Sequence, residues 1–476
     1  MPQKVGMVSL GCPKNLVDSE VMLGILAHQG FELTPRPDEA DVIIVNTCAF
    51  IEPAKQESIN TILEMAEYKK FGAARKLVVA GCLVERYRQE IQRQIPEVDY
   101  VIGTNELEKV LVACSENPQP PIGGAPAEPY LYHEFTPRVL STPSYSAYLK
   151  IAEGCDHPCT FCVIPQMRGA FRSRRFGSVI REAQNLARQG VRELTIVGQD
   201  TTSYGEDLGL RDGLPALLRE LGNIPDLVWV RFLYCYPNRV TDSLIAAVAE
   251  TSKVAKYFDI PLQHASAGVL RLMKRGSNGR QFLRILEKIR AAIPGVALRT
   301  SLIVGFPGET DDDFKALLDF VAAAEFDHLG VFLYSNEETS RSFELPNQVP
   351  APIARRRQKK IMALQRKISR RNLRRMVGKS LPVLVEGPSE ETNLLYQGRS
   401  ERQAPGIDGC ILINDFDGPE PQQGDFRWAT ITEVGDYDLV ARLEAELFAE
   451  RLLPPNPLPA GAALVQIQSA AAVPST

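Results

Sequence analysis

The chain has 476 residues, 44% of them hydrophobic and 24% charged, with a formal net charge of −4. That length predicts about three domains with ordinary cores, and the charge balance excludes wholesale polyanion binding, so any contact with nucleic acid is local. The first residues lead straight into a strand-like segment without a signal-peptide layout, and no apolar run reaches membrane-spanning length, so a reducing cytoplasm and no membrane association are expected.

Residues 1–114 hold three apolar runs that each end in a cysteine: Val5 to Cys12, Val42 to Cys48 and Lys76 to Cys82. Helical spacing fills the intervals at 19–29 and 53–69. Strand-helix alternation with short, wholly apolar strands predicts an open parallel sheet, in which ligands gather beyond the carboxyl ends of the strands. The cysteines lie 36 and 34 positions apart, one strand-helix unit each. One buried free cysteine is commonplace packing. Three at the same structural position point to a metal cluster on Cys12, Cys48 and Cys82.

Residues 115–144 are rich in proline and glycine and read as a linker. A strand at 147–152 then delivers the string Glu153-Gly-Cys155-Asp-His-Pro-Cys159-Thr-Phe-Cys162. Its CxxxCxxC spacing supplies three thiolates from one short loop and no fourth. A cubane 4Fe-4S cluster normally takes four, so three leave one iron open to bind something else. A zinc site would want a fourth ligand, and His157 is tethered too tightly inside the loop to close a tetrahedron. A disulfide framework does not fit a cytoplasmic chain.

Five further apolar runs, at 194–197, 228–233, 257–262, 297–304 and 329–334, alternate with helical segments at 179–188, 214–221, 242–250, 282–292 and 311–324. Six strand-helix units over 145–352 predict a partly closed parallel barrel with its site at the C-terminal strand ends. Residues 353–378 carry eleven basic side chains and no acidic one, with Ile361, Leu364 and Ile368 on one helical stripe. This connecting helix is either a patch for phosphate or another acidic partner, or a solvated face. Residues 379–448 read as a small β-barrel, with strands at 381–385, 409–413, 428–434 and 438–443. Five basic against fourteen acidic residues from 379 to 446 give it a net charge of −9, which suits a basic protein surface. The Pro- and Ala-rich tail, 449–476, is expected to be disordered.

The CxxxCxxC loop and the three strand-end cysteines resemble the methylthiotransferase subfamily of the radical S-adenosylmethionine (SAM) enzymes, over about residues 5–448. Four strings are most similar to the branch that methylthiolates an aspartate of small-subunit ribosomal protein S-twelve: Ser9-Leu-Gly-Cys12-Pro-Lys-Asn-Leu-Val-Asp-Ser-Glu20, Gln166-Met-Arg-Gly-Ala-Phe-Arg-Ser-Arg174, Val197-Gly-Gln-Asp-Thr-Thr-Ser-Tyr-Gly205 and Ile260-Pro-Leu-Gln-His264. The transfer-RNA-modifying relatives usually carry Gln-Met-Asn where this chain has Pro13-Lys14-Asn15. The segment Ser335-Asn-Glu-Glu-Thr-Ser-Arg341 lacks the Gly-Thr step expected after the paired acids.

The resemblance implies a methylthiotransferase N-terminal domain, a radical SAM barrel, a C-terminal TRAM domain, two 4Fe-4S clusters and SAM. Cleavage of SAM at the open iron beside Cys155, Cys159 and Cys162 would yield a 5′-deoxyadenosyl radical, which takes a hydrogen from the aspartate β-carbon, a step beyond side-chain acid-base chemistry. The cluster on Cys12, Cys48 and Cys82 would hold or supply sulfur, and a second SAM the methyl group. Phe161 would pack near the adenine, with plain loop packing as the competing reading. The strand-end residues Gly198, Gln199, Asp200 and His264, with the Gly305 to Glu309 turn, would hold other parts of SAM. The implied partners are the ribosomal protein and an electron donor such as a flavodoxin or ferredoxin, with the enzyme a monomer. The competing functions are the same chemistry on transfer-RNA adenosine, and a non-catalytic iron-sulfur electron carrier or ribosome-binding factor.

Overall fold

A computed structural model describes residues 2–115, 130–389, 392, 394–449 and 464. Residues 116–129 of the expected linker and nearly all of the expected tail lie outside the described residues. No helix among those described is long and apolar enough to cross a membrane.

The N-terminal unit is an open sheet of β1 (Lys4–Ser9), β2 (Glu32–Leu33), β3 (Val42–Thr47), β4 (Lys76–Gly81) and β5 (Tyr100–Ile102), in the order β2-β1-β3-β4-β5. All its pairings are parallel. Helices α1 (Pro13–His28), α2 (Glu52–Phe71), α3 (Cys82–Gln94) and α4 (Val110–Cys114) connect or flank the strands. The apolar runs are buried because both sheet faces are covered; Val42, Ile43, Ile44 and Val45 have no exposed surface. In this order the chain reverses direction across the sheet between β1 and β3, and such a switch point leaves a crevice at the carboxyl ends of those two strands. Helix α1 begins six residues earlier than its apolar spacing indicates, with Pro13 in its first turn and Cys12 as N-cap. The early turns hid from the pattern because Asn15, Asp18, Ser19 and Glu20 are polar yet buried.

The central unit opens with β6 (Ser146–Lys150), the antiparallel pair β7 (Ala152–Glu153) and β8 (Arg172–Ser173), and the short helix α5 (Ile164–Arg168). Five strands follow: β9 (Glu193–Val197), β10 (Trp229–Phe232), β11 (Tyr257–Asp259), β12 (Ala297–Val304) and β13 (His328–Leu333). With β6 they form two three-stranded parallel sheets, β6-β9-β10 and β11-β12-β13. Helices α6 (Phe176–Arg188), α7 (Gly213–Gly222), α8 (Asp242–Glu250), α9 (Ala267–Leu272), α10 (Gly279–Ala292) and α11 (Asp311–Ala324) pack outside this partial barrel. Thr310 and Asp313 form a complete capping box on α11.

Helix α12 (Ala351–Arg374) lies along β13 and α11 and buries Ile361 and Ile368. Arg357 departs from the basic face. It is buried and paired with Glu309 and Asp311.

The C-terminal unit is a closed five-stranded barrel of β14 (Ser380–Pro388), β15 (Tyr396–Arg399), β16 (Ile411–Phe416), β17 (Phe426–Val434) and β18 (Leu439–Ala449). The strand β15, Tyr-Gln-Gly-Arg, has no apolar alternation by which to predict it. It packs against the N-terminal end of the central barrel: Arg399 pairs with the fully buried Glu193 at the start of β9, and Trp229 meets Phe426 edge-on at 5.1 Å. The loop after β15 enters the central barrel from that end. Ala404 is buried among Val197, Leu233, Ala255, Tyr257 and Ala297, and Asp408 accepts a hydrogen bond from Tyr257 Oη at 2.7 Å. The small barrel and the cysteine loop therefore sit at opposite ends of the central barrel.

Candidate active site between two cysteine triads

Cys12, Cys48 and Cys82 follow β1, β3 and β4, three neighbouring strands of one sheet. Gly11 (φ +84°) lets the first turn pass against the second; a Cβ there would stand 2.7 Å from Cys48 Cβ. Gly81 (φ +93°) does the same beside Thr47 and Asn46. Cys12 caps α1 and Cys82 opens α3, so two of the three sulfurs sit at helix N-termini, which favour negative charge. Burial opposes ionisation of Cys12, yet Lys14 and Arg168 bring its thiol below the ordinary value. Burial raises Cys48, and it pushes Cys82 up to about 12 against the pull of Arg168.

The second triad occupies the turn between β7 and α5. Gly154 (φ +78°) leaves no room for a Cβ beside the Ala170 carbonyl, and Cys155 N donates to Gly169 O at 3.2 Å. Thr160 ties the middle of the loop to the end of α9, donating to Met273 O through its backbone and to Leu272 O through its hydroxyl. Burial pushes Cys155 to about 11 and Cys162 to about 12. Loading either triad with metal must therefore expel protons, which makes it pH-dependent.

The donor chemistry fits a cluster held by three thiolates. His157, the candidate fourth ligand, is engaged elsewhere: Nε2 lies 2.6 Å from Asp200 Oδ2, and its ring stacks on Tyr236 at 3.7 Å. Among the described residues no three Cys, His, Asp or Glu side chains close into a metal-ligand arrangement.

The residues expected around SAM fall into two groups. Gly198, Gln199 and Asp200 leave the end of β9 beside the cysteine loop. Gln199 Nε2 donates to Glu153 Oε1 at 2.8 Å, while its own Oε1 is buried without a partner among the described residues, an acceptor still available to a ligand. Asp200 is committed to His157, Thr202 and Ser203, so it orients the loop. Phe161 is half-buried against the barrel core. His264 and Glu309 are brought together in the interior, both side chains fully buried and His264 Nε2 3.5 Å from Glu309 Oε1. Gly305 (φ +83°) approaches α12, where a Cβ would stand 2.6 Å from Ala354 Cβ. That packing alone accounts for the glycine.

Several functional residues escaped the sequence reading. Arg168, six positions after Cys162, reaches into the N-terminal unit: its guanidinium lies 2.5 Å from Asp18 Oδ2, 3.1 Å from Asn15 Oδ1 and 3.3 Å from Glu153 Oε2, and its charge favours the Cys82 thiolate. Lys150 joins the network through Asp18 and Glu153. The signal was the pair of acids, Asp18 and Glu20, set beside the apolar Val17 and Val21. Lys14 is 8% exposed, and its Nζ lies 3.5 Å from the Tyr234 ring centroid. Burial and Arg168 work against its charge, but the Tyr234 phenol and the Cys12 thiol hold the ammonium above its ordinary pKa. Tyr236, two residues beyond Tyr234, carries the His157 stack and lies under Arg275, which reaches Cys159 Sγ at 3.6 Å. Lys14 thus stands between the triads. On the opposite side, the 335–341 segment closes onto the N-terminal unit through Glu337, which is 2% exposed and paired with Arg86 at 2.7 Å and Lys55 at 3.1 Å.

Comparison with known proteins agrees with this division. Residues 4–103 match the model of the uncharacterized protein family UPF0004, 149–321 the radical SAM superfamily and 377–443 the TRAM domain. In fold, the chain is similar to the radical S-adenosylmethionine methyltransferase TsrM from Kitasatospora setae, solved with cobalamin and a [4Fe-4S] cluster, at a TM-score of 0.51 and 16% identity over 72% of this chain and 77% of that one. The fold and domain matches make this a radical SAM enzyme carrying a TRAM domain, one that uses an iron-sulfur cluster and SAM. Its sequence is 59% identical to the ribosomal protein uS12 methylthiotransferase RimO of Solibacter usitatus (strain Ellin6076), over 99% of this chain and 100% of that protein. It is 54% identical to RimO of Koribacter versatilis (strain Ellin345), over 93% and 96%, and 48% identical to RimO of Myxococcus xanthus (strain DK1622), over 93% and 92%. The chain belongs to the RimO family of radical SAM methylthiotransferases.

Proposed function

We propose that this enzyme adds a methylthio group to the β-carbon of an aspartate in small-subunit ribosomal protein uS12, using two 4Fe-4S clusters, one on each cysteine triad. When bound, the clusters and SAM supply the radical, the sulfur and the methyl group. Cys155, Cys159 and Cys162 hold the radical-generating cluster, and Asp200 fixes their loop through His157. Cys12, Cys48 and Cys82 hold the second cluster, with Arg168 neutralising charge beside Cys82 and Cys12. Gln199 offers an acceptor to SAM, and Phe161, Gly198, His264, Gly305 and Glu309 support or border its site. The enzyme works as a monomer and takes its electron from a flavodoxin or ferredoxin.

The observation that carries the aspartate reading is Lys14. Among the described residues no carboxylate pairs with this buried ammonium, and it stands between the two thiol triads, where a substrate carboxylate would pair with it. The negative charge of the small barrel suits a basic ribosomal protein, but its place at the far end of the central barrel makes it a distal contact at most. Mass spectrometry of uS12 from cells with and without this gene tests the proposal. A methylthio mass difference on an aspartate-containing peptide is expected, and its absence, or a methylthio group on transfer-RNA adenosine instead, would overturn it.

A further inference from the structure

The outward face of α12 is strongly charged and takes no part in the site. We propose that it docks the phosphate backbone of structured RNA, which surrounds a ribosomal protein during or after subunit assembly; the identity of that RNA rests on the uS12 reading above. Arg355, Arg356, Lys359 and Lys360 are followed eleven positions later by Arg366, Lys367, Arg370 and Arg371. Eleven residues make three helical turns, so the two tetrads share one face, about 16.5 Å apart at the usual rise per residue. Arg374 and Arg375 extend the strip, and all ten side chains are exposed.

The opposite side of the helix fixes this orientation, because Arg357, Ile361, Gln365 and Ile368 are buried against the barrel. Two of the ten cations have an ion pair among the described residues: Arg366 with Asp436 at 3.9 Å and Arg371 with Glu325 at 2.7 Å. The helix is about 36 Å long, so the strip can meet several successive phosphates at once. Its chemistry selects the partner. No large hydrophobic side chain is exposed between Arg355 and Arg375, so the strip lacks both the apolar face that inserts into a membrane and the apolar centre of a specific protein interface. Phosphate contacts require only positioned cations.

The test titrates reconstituted holoenzyme into a labelled RNA duplex of about two turns, ~20 base pairs, between 50 and 200 mM salt. Two variants are compared with the parent: Arg355→Gln with Arg356→Gln, Lys359→Gln and Lys360→Gln, and Arg366→Gln with Lys367→Gln, Arg370→Gln and Arg371→Gln. Glutamine keeps helix propensity at these exposed positions. For six to ten phosphate contacts the parent's affinity should fall about 10³- to 10⁵-fold across that salt range. Each variant should bind at least tenfold more weakly with a shallower salt dependence, methylthiolate free uS12 as the parent does, and lose activity on uS12 held within small-subunit particles. RNA binding unchanged in both variants would overturn the proposal, as would equal capture of polyglutamate or anionic vesicles. Absence of methylthiolation of free uS12 by the parent would instead overturn the functional reading, and is scored separately from RNA binding.

Discussion

Arg168 Nη1 lies 2.5 Å from Asp18 Oδ2, an ion pair buried where the helix following the CxxxCxxC loop meets the helix capped by Cys12. It couples the two cysteine sites mechanically, since a shift of either helix breaks a contact that water cannot replace. Removing one partner leaves an uncompensated buried charge. Arg168→Met should destabilise the apo protein by about 3–5 kcal/mol in denaturant titration, and adding Asp18→Asn should recover part of that loss. Strict additivity of the two substitutions would show that the pair does not act as a unit.

The two triads should separate on mutation. Cys155→Ala should abolish SAM cleavage, whereas Cys48→Ala should leave cleavage largely intact and stop sulfur insertion. Each variant should carry about four fewer irons per chain after reconstitution. Retained sulfur insertion by the Cys48 variant would refute a cluster at the strand-end site.

Lys14→Gln keeps a polar side chain, one bond shorter, and removes its charge. The expected result is a KM for uS12 raised at least tenfold, with SAM cleavage in the absence of uS12 unchanged. A fall in cleavage alone, with KM unaltered, would assign Lys14 to the cluster rather than to the substrate.

The Glu337 latch sets a pH dependence. Burial disfavours its charge, but hydrogen bonds from Arg86, Ser335 and Lys55 bring its carboxyl below the ordinary glutamate value of 4.5. A depressed folded-state pKa gives stability that is complete above the unfolded value and is lost as pH falls through the folded one. Stability should therefore fall below about pH 4.5 partly through this group, and Glu337→Gln, less stable at pH 7, should show a flatter acid limb in urea titrations. An unchanged acid limb would mean that the latch contributes nothing.

The sequence by itself determined the chemistry and the local frame. Three thiols within eight residues, and three more each one strand-helix unit apart, are properties of spacing, and spacing survives folding because a loop or a strand end holds its own neighbours. The parallel sheets, the partial barrel and the α11 cap were legible for the same reason: apolar period and capping residues act within a few positions. Only the tertiary structure decided what crosses between units. Arg168 and Asp18 are 150 positions apart, and Arg399 and Glu193 are 206 apart, so no local pattern relates them. Charge counts misled in the same way. Arg357 reads in the sequence as one cation of a basic face, but it is buried and paired with Glu309. A side chain's charge is written in the sequence, but whether it meets water, a partner or a buried counter-charge depends on long-range packing, where desolvation and pairing compete.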